Sequence, residues 1–338
     1  MDLIIVCAGK TAKYVSELLP NLPVDYVISG YYDFMDNDPY CFGLISKDKL
    51  LSHEGDFLIA SVMVDTVEIC TQQLVDLGLN YKNIKNLSDI LRCQTEALDY
   101  VKIKKVAALL GNQGEFFKKI IYAKASFDFD YFANMGLGGK ADSEYFDYDL
   151  FPSEGVVIDA GSFDGDTAKK MAIHMNAGAT IFSFDASLKY VKIANRLPCI
   201  DFIEAALCKQ DGFLSFHEYP GTEAPGSFVS EAVLGNDVQL VRCTSIDSFV
   251  EQREIKQLGF IKMDIEGSEI NALIGAQKAI RNFMPPMAIS IYHKLSDHWE
   301  IPLLVLDIQP GYSIFIGHYS NNFDATVMYF KPTKARTG

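Results

Sequence analysis

Two glycine-containing acidic stretches carry the residue types that could bind a cofactor and act on a substrate. The first, Val156–Thr167, reads VVIDAGSFDGDT, and the second, Gly259–Glu269, reads GFIKMDIEGSE. Each opens with apolar residues typical of a buried strand and continues into an acid, a glycine and a helix start. A tight turn from strand to helix leaves backbone N–H groups free, and glycine lets a ligand approach them closely. The first stretch therefore predicts a cofactor-binding turn.

A further acid follows the next predicted strand, Thr180–Phe184. Asp185 lies twenty positions after Gly165, where an α/β cofactor domain places the carboxylate that accepts ribose hydroxyls. Asp164 and Asp166 lie in the turn itself. They would repel a pyrophosphate but tolerate a cofactor that has a positive centre and no phosphate. The pattern favours S-adenosylmethionine over a dinucleotide.

Two side chains that follow later strands are candidates for the reaction. Asp264 ends one predicted strand and His293 follows another, Met287–Ile291. Ligands of open α/β sheets bind at the carboxyl ends of the strands, so both side chains are expected to face the reacting atoms. Methyl transfer to a hydroxyl needs alignment of the reacting atoms and a base. His293, with its near-neutral titration, is the first choice of base, and Asp264 is the second or orients the substrate.

A metal ion is not expected from the sequence. Asp264 and Glu266 would offer two oxygen ligands to a divalent cation, but the sequence shows no complete ligand set. Glu266 is interpreted as a helix-start residue, because negative charge is favoured at a helix N-terminus.

Composition narrows the choice of partners and location. The 338 residues include 30 basic and 44 acidic ones, for a net charge of −14, which argues against nucleic acid and anionic membranes as partners. No run of eighteen apolar residues is present, so no membrane span is expected. The seven cysteines are scattered, without a Cys-x-x-Cys pair, which favours free thiols and a cytoplasmic location. The expected partner is a small-molecule or glycan acceptor, and a homodimer is left open.

The order of predicted elements divides the chain into three parts. Strands and helices alternate over residues 1–92, which predicts a small Rossmann-like αβ domain in which Gly9 alone remains of a dinucleotide loop. Residues 93–150 are predicted as a helical connector. Its aromatic-acidic stretches and glycines either pack it onto the next domain or form a lid. Residues 151–338 are predicted as the catalytic domain.

The two stretches together resemble motifs of the FkbM-type methyltransferase family. The matching runs are Val157–Thr167 and Ile261–Glu269. Three shorter runs resemble members with an extra N-terminal domain, namely Glu144–Asp147, Tyr292–Lys294 and Gly317–Tyr319. The resemblance covers about residues 140–331. It implies a class I S-adenosylmethionine-dependent methyltransferase that methylates hydroxyls of sugars and natural products.

The resemblance also implies roles in cofactor binding. It places Asp159 near the amino acid end of the cofactor, with Gly161, Ser162 and Gly165 shaping the loop. Adenine packs after the third strand of such domains, which points to Glu204 and Ala205, and Asp185 with its neighbour Ala186 is expected at the ribose. Phe163 stands where many methyltransferase loops have glycine, and either packs on the cofactor, as a cation–π partner of the sulfonium, or is a core aromatic. Asp185 stands where glutamate is more usual.

The fold expected from these features is α/β: a Rossmann-like methyltransferase sheet that follows the small αβ domain. Two late strands, Tyr312–Ile316 and Thr326–Phe330, are predicted to pair antiparallel at the sheet edge. The first alternative is an NAD(P)-dependent oxidoreductase or epimerase, against which the acids around Gly165 argue. The second is a non-catalytic scaffold that binds the cofactor without turnover.

Overall fold

The chain divides into two compact units in the computed structural model. The first unit comprises Met1–Leu98, Lys119–Gly138 and Ser320–Phe323, and the second comprises Asp99–Lys118, Gly139–Tyr319 and Asp324–Gly338. The residues that the structure describes are 2–7, 12, 27–34, 43–60, 64–85, 98–125, 128–135, 143–152, 154–176, 178–189, 191–217, 228–231 and 239–333. Within these ranges no helix combines the length and the apolar character needed to cross a membrane.

The first unit contains a four-stranded parallel sheet. Its strands are β1 (Asp2–Val6), β2 (Val27–Tyr32), β3 (Asp56–Ile59) and β4 (Ile84–Lys85), in the order β2-β1-β3-β4. Two of its helices are α1 (Lys47–Leu51) and α2 (Val64–Asp76). The side chain of Ser46 accepts a hydrogen bond from the Lys49 amide and so fixes the start of α1. Apolar residues of alternate strand positions form the core of the sheet, among them Ile4, Val6, Phe57 and Ile59.

The predicted alternation of strands and helices is confirmed for this unit, with one shift. The second strand was predicted from residue 24 to residue 28, whereas β2 continues to Tyr32. The predicted loop at Gly9 and all but the first residue of the helix predicted after it lie outside the described residues. So does most of the glycine-rich stretch predicted as a bendable loop, residues 136–140.

The predicted connector contributes helices to both units. These helices are α3 (Tyr100–Leu109), α4 (Gly114–Ala125) and α5 (Phe129–Ala133). The division between the units falls inside α4, after Lys118. The domain boundaries at residues 92 and 150 stay a prediction, as does the lid.

The second unit is built on a seven-stranded sheet, which confirms the predicted α/β fold with a late antiparallel pair. Its strands are β5 (Val156–Ala160), β6 (Thr180–Asp185), β7 (Ile200–Glu204), β12 (Leu258–Met263), β13 (Met287–Ser290), β14 (Tyr312–His318) and β15 (Thr326–Pro332). Their order in the sheet is β14-β15-β13-β12-β5-β6-β7. Five strands are parallel, whereas β15 runs antiparallel to both β13 and β14. The helices that follow Lys118 in this unit are α6 (Asp166–His174), α7 (Ile246–Gln252), α8 (Glu269–Ile274), α9 (Gln277–Phe283) and α10 (Asp297–Ile308).

This unit also contains a second, smaller sheet. Its strands are β8 (Ala206–Leu207), β9 (Gly212–His217), β10 (Phe228–Glu231) and β11 (Gln239–Thr244), in the order β10-β9-β11-β8. Of this sheet the sequence predicts only a hairpin arm over residues 212–219, and β9 confirms the first strand of that arm. The apolar residues of the run Cys199–Leu207 predict a single strand. The chain instead changes sheets at Ala205, whose amide donates to the Asp185 carbonyl at 2.9 Å. The predicted loop from Pro220 to Gly226 lies outside the described residues.

The central position of β12 and β5 determines where the site can form. These two strands are parallel neighbours, with Lys262 in register with Asp159 and Met263 with Ala160. The loops that follow them therefore leave the sheet side by side. This is the edge at which open α/β sheets bind ligands.

Candidate active site

The loop after β5 packs directly against the loop after β12. Gly161 has φ +88°, and a Cβ atom placed on it would overlap the carbonyl oxygen of Asp264. The amides of Gly161 and Ser162 both donate to the Phe184 carbonyl, at 2.8 and 3.0 Å. The Asp264 amide donates to the Ala160 carbonyl at 2.9 Å. Only glycine fits at position 161, because it combines a left-handed conformation with this close backbone approach.

The first loop continues through two further residues with positive φ. Phe163 has φ +43° and Gly165 has φ +84°. The Phe163 amide donates to Oδ2 of Asp185 at 2.9 Å, and Gly165 precedes α6 as its N-cap. A positive φ suits glycine best, which explains why glycine is common at the position of Phe163. The hydrogen bond from the Phe163 amide to Asp185 ties the loop to the end of β6.

Asp159 is buried in an ion pair with Lys262. Both side chains are almost inaccessible to solvent, and Lys262 Nζ lies 3.2 Å from Oδ1 of Asp159. The same ammonium donates to the carbonyls of Ala160 at 3.1 Å and Gly161 at 2.6 Å, and the Ser183 hydroxyl donates to Oδ2 of Asp159. Burial lowers the pKa of Lys262, but Asp159 and Asp264 outweigh it and raise the pKa above its usual value. Asp159, expected beside the ammonium of a cofactor, has a protein ammonium as its partner instead.

A pocket of about 470 Å³, counted with the part open to solvent, lies at this edge of the sheet. Its lining combines apolar side chains with three carboxylates, and the part lined by Asp264 and Glu266 is called its acidic end below. Four of the nine predicted cofactor residues line it, namely Gly161, Asp185, Ala186 and Ala205. The remaining lining residues are Phe184, Ala206, Leu207, Phe216, Asp264, Ile265, Glu266 and Ser268. The pocket thus offers apolar surface for a flat base, with a carboxylate beside it.

The other five predicted cofactor residues are placed around the pocket rather than on its lining. Asp159, Ser162, Phe163 and Gly165 form the buried base of the first loop. Glu204 is exposed at the end of β7, and its Oε1 accepts the Leu188 amide at 3.3 Å.

Asp185 is held in place by two backbone amides. Its Oδ2 accepts from Phe163 and its Oδ1 accepts from Ser187 at 3.1 Å. Burial raises its pKa, although the two amide hydrogen bonds act in the opposite direction. The carboxylate is therefore oriented by the loop at the wall of the pocket.

Asp264, at the end of β12, accepts hydrogen bonds from two phenols. The Tyr145 hydroxyl donates to Oδ2 at 2.8 Å and the Tyr292 hydroxyl donates to Oδ1 at 3.0 Å. The side chain is 26% exposed. Burial raises its pKa, but the charges of His293 and Lys262 and these hydrogen bonds outweigh burial and lower the pKa below its usual value. Asp264 is thus a fixed, ionised carboxylate at the acidic end of the pocket.

His293 lies among three carboxylates. Its Nε2 is 3.4 Å from Oδ1 of Asp264 and 3.7 Å from Oε2 of Glu266, and its Nδ1 is 3.1 Å from Oε1 of Glu269. Burial lowers the pKa of the ring, but Glu269, Asp264 and Glu266 outweigh it and raise the pKa to about 9. The near-neutral titration expected from the sequence is therefore corrected: with these neighbours the ring carries a proton at neutral pH.

Several residues of this site were not predicted from the sequence. Tyr145 comes from the connector, and Phe216 comes from the small sheet. Tyr145 lies in the run Glu144–Asp147 that resembles the family, but that run assigned it no role, and Phe216 lies far along the chain from both motifs. Glu269 did have a signal, because it stands five positions after Asp264 in the second motif, but no site role was assigned to it. Glu266 has a positive φ of +55°, which is an unfavourable backbone conformation for a residue with a side chain. Strain of this kind is often found at functional sites.

The fold and this pocket define a Rossmann-like methyltransferase, and comparisons with known proteins agree. The family model described as "Methyltransferase FkbM domain" matches residues 159–309. The crystal structure of methyltransferase FkbM from Methylobacillus flagellatus KT is similar, with a TM-score of 0.65 and 17% identity over 98% of this chain and 90% of that chain. Residues 159–309 are therefore an FkbM methyltransferase domain, and the protein is a methyltransferase that uses S-adenosylmethionine.

Two more distant structures share less of the fold. Aeropyrum pernix fibrillarin in complex with S-adenosyl-L-methionine has 9% identity and a TM-score of 0.34, over 59% of this chain and 76% of that chain. A putative rRNA-methylase from Clostridium thermocellum has 14% identity and a TM-score of 0.31, over 59% of this chain and 96% of that chain. No curated protein sequence matches the chain.

Replacing Lys262 with methionine should destabilise the second unit strongly. The substitution leaves the Asp159 carboxylate buried without its counter-charge, which costs about 3–5 kcal/mol of unfolding free energy. Chemical denaturation monitored by circular dichroism measures this change. Lys256→Met, at an exposed position, should change stability by less than about 0.5 kcal/mol. Equal stability of the two variants would show that the ion pair contributes nothing.

Replacing Gly161 with alanine should destabilise the protein more than the same change at Gly178. Both glycines have positive φ, +88° and +96°, but only at Gly161 would the new Cβ meet other atoms. The conformational cost of about 1–2 kcal/mol is common to both variants, and overlap with the Asp264 carbonyl adds about 1–3 kcal/mol in Gly161→Ala. Denaturant midpoints of the two variants measure the difference, and identical midpoints would contradict the close packing of the two loops.

Proposed function

We propose that the protein transfers a methyl group to a hydroxyl of a sugar, a glycan precursor or a natural product. The observation that carries this proposal is the position of Asp264, which lines the cofactor pocket and also accepts hydrogen bonds from Tyr145 and Tyr292. A fixed carboxylate with flanking phenols is suited to bind an uncharged, hydroxyl-rich molecule. An acceptor oxygen bound to this carboxylate would lie next to the cofactor.

The pocket fits S-adenosylmethionine by the chemistry of its lining. Asp185 would accept the ribose hydroxyls, with Ala186 beside it, and Ala205 would lie against the adenine. Gly161, which has no side chain, would leave room for the cofactor at the pocket wall. The loop beneath that wall would be held in place by Asp159, Ser162, Phe163 and Gly165. Glu204 would stabilise the end of β7. The bound cofactor supplies an electrophilic methyl group on a sulfonium.

Transfer to a hydroxyl releases one proton, and the acidic end of the pocket can receive it. We assign the hydrogen bond of the acceptor hydroxyl to Asp264, with Glu266 as the second carboxylate within reach of the same space. His293, the other proposed catalytic residue, already carries a proton at neutral pH. Its charge would therefore stabilise the negative charge that develops on the acceptor oxygen.

The partners and location follow from charge and thiol chemistry. A net charge of −14 favours an uncharged acceptor over nucleic acid. Five cysteines in the described part of the chain are free thiols, namely Cys7, Cys70, Cys199, Cys208 and Cys243, which supports a cytoplasmic location. A homodimer stays a prediction.

Replacing Asp185 with alanine should weaken binding of S-adenosylmethionine. Loss of a carboxylate that accepts two hydroxyl hydrogen bonds should raise Kd by about 10- to 100-fold. Isothermal calorimetry of the full chain measures this change. Asp201→Ala, an exposed acid on β7, should leave Kd within about threefold. Unchanged affinity in Asp185→Ala, or binding of NAD in place of S-adenosylmethionine, would contradict the cofactor assignment.

Replacing Asp264 with asparagine should abolish turnover while cofactor binding persists. Removal of a group that receives the acceptor's proton should lower kcat by about 10²–10⁴-fold. The measurement is transfer of a deuterated methyl group to free sugars, nucleotide-linked sugars and macrolide alcohols, with mass spectrometry locating the label. Asp297→Asn replaces a buried acid of α10 outside the pocket lining, and should leave kcat within about threefold. Label on nitrogen or carbon, or full turnover by Asp264→Asn, would overturn the proposal.

A further inference from the structure

Three side chains from separate parts of the second unit converge beside the pocket. Asp264 ends β12, Glu269 opens α8 and His293 follows β13. Each offers one ligand atom, and these atoms all lie within 4.8 Å of one another. Three ligands that share one ion at 2.0–2.2 Å lie about 3–4 Å apart, so binding would draw the three side chains together and would use one of the two nitrogens of His293.

Buried atoms in this cluster lack the hydrogen bonds that burial normally requires. Glu269 is 1% exposed, and its Oε2 has no hydrogen-bond partner. The His293 side chain is 8% exposed, and neither ring nitrogen makes a hydrogen bond of acceptable geometry. Buried polar atoms are nearly always bonded, and exceptions call for an explanation such as an ion. His293 faces Glu269 with its Nδ1 and Asp264 with its Nε2.

The charges around the cluster also favour a cation. Asp264, Glu266 and Glu269 all face the His293 ring. The nearest lysines have other close partners: Lys262 pairs with Asp159, and Lys294 donates to the Gly267 carbonyl. A divalent cation would offset the carboxylates more fully than a single proton on the imidazole.

We propose that Asp264, Glu269 and His293 bind a divalent cation that activates the acceptor hydroxyl. Two carboxylates and an imidazole suit Mn²⁺ or Zn²⁺, because Mg²⁺ and Ca²⁺ prefer oxygen ligands throughout. The phenols of Tyr145 and Tyr292 would then orient the Asp264 carboxylate as outer-shell donors. This assignment replaces the expectation of no metal, which considered only Asp264 and Glu266.

The proposal deepens the proposed function and rests on it for the identity of the reaction. The acceptor hydroxyl would bind the cation through its oxygen. With Asp264 and a deprotonated His293 occupied as ligands, the proton of the hydroxyl would pass to Glu266, the second carboxylate named above, and from there to solvent. The oxygen would form a bond to the methyl carbon as the carbon–sulfur bond breaks, with the bond's electron pair retained on sulfur as a thioether. No oxidant or reductant is needed.

The test is metal binding by the full chain in the absence of S-adenosylmethionine. Chelator-treated protein is titrated with MnCl₂ and, separately, with ZnCl₂ by isothermal calorimetry, and bound Mn²⁺ is followed by electron paramagnetic resonance. One ion per chain is expected. Glu269→Gln and His293→Asn should weaken binding at least about 30-fold, because each removes a ligand. Asp297→Asn is the control, since it removes a nearby buried acid that is not a ligand, and it should change Kd less than about threefold.

The outcomes separate this proposal from the proposed function. Absence of binding by wild-type protein, or equal binding by Glu269→Gln, His293→Asn and Asp297→Asn, would overturn the metal site. S-adenosylmethionine binding and methyl transfer by the same chelator-treated protein would then leave the proposed function intact. Metal binding with the expected variant pattern, but no methyl transfer to any hydroxyl, would support the site and overturn the proposed function. Thermal melts of each variant exclude unfolding as the cause.

Discussion

The buried ammonium of Lys262 joins the two central strands beneath the site. It pairs with Asp159 and donates to the carbonyls of Ala160 and Gly161, so it joins β12 to β5 and to the loop after β5. A buried charge is costly unless it is paired and hydrogen-bonded, and here all the partners belong to the pocket's base. The position of the first loop is thus determined by electrostatics within the sheet, before any cofactor binds.

The close approach of the two loops follows from that anchoring. With β5 and β12 side by side, Gly161 lies against the Asp264 carbonyl, and no side chain fits between them. The first loop then turns through left-handed conformations at Phe163 and Gly165 and contacts Asp185 through the Phe163 amide. One backbone path therefore positions both the carboxylate proposed for the ribose and the carboxylate proposed for the acceptor.

Electrostatic balance distinguishes the base beneath the pocket from its acidic end. At Asp159, below the pocket lining, Lys262 neutralises the carboxylate, and the pair has a structural role. At the Asp264 end, three carboxylates surround one imidazole, and the nearest lysines are bound elsewhere. The excess of negative charge is retained where the reaction is proposed. A structural ion pair and the proposed reactive cluster thus lie close together. They differ because the ion pair has a lysine as counter-charge, whereas the carboxylates of the cluster outnumber its cations.

The sequence by itself determined the α/β fold, the late antiparallel pair and the strand-end positions of Asp185 and Asp264, because each depends on local periodicity and motif spacing. The methyltransferase family was indicated by the resemblance of the two motifs to known members. It could not determine the partner of Asp159, the titration of His293 or the presence of Tyr145 and Phe216 at the site. These depend on residues brought together from distant parts of the chain. Charge pairing, burial and pKa are properties of three-dimensional neighbours, and only the tertiary structure decides which groups become neighbours.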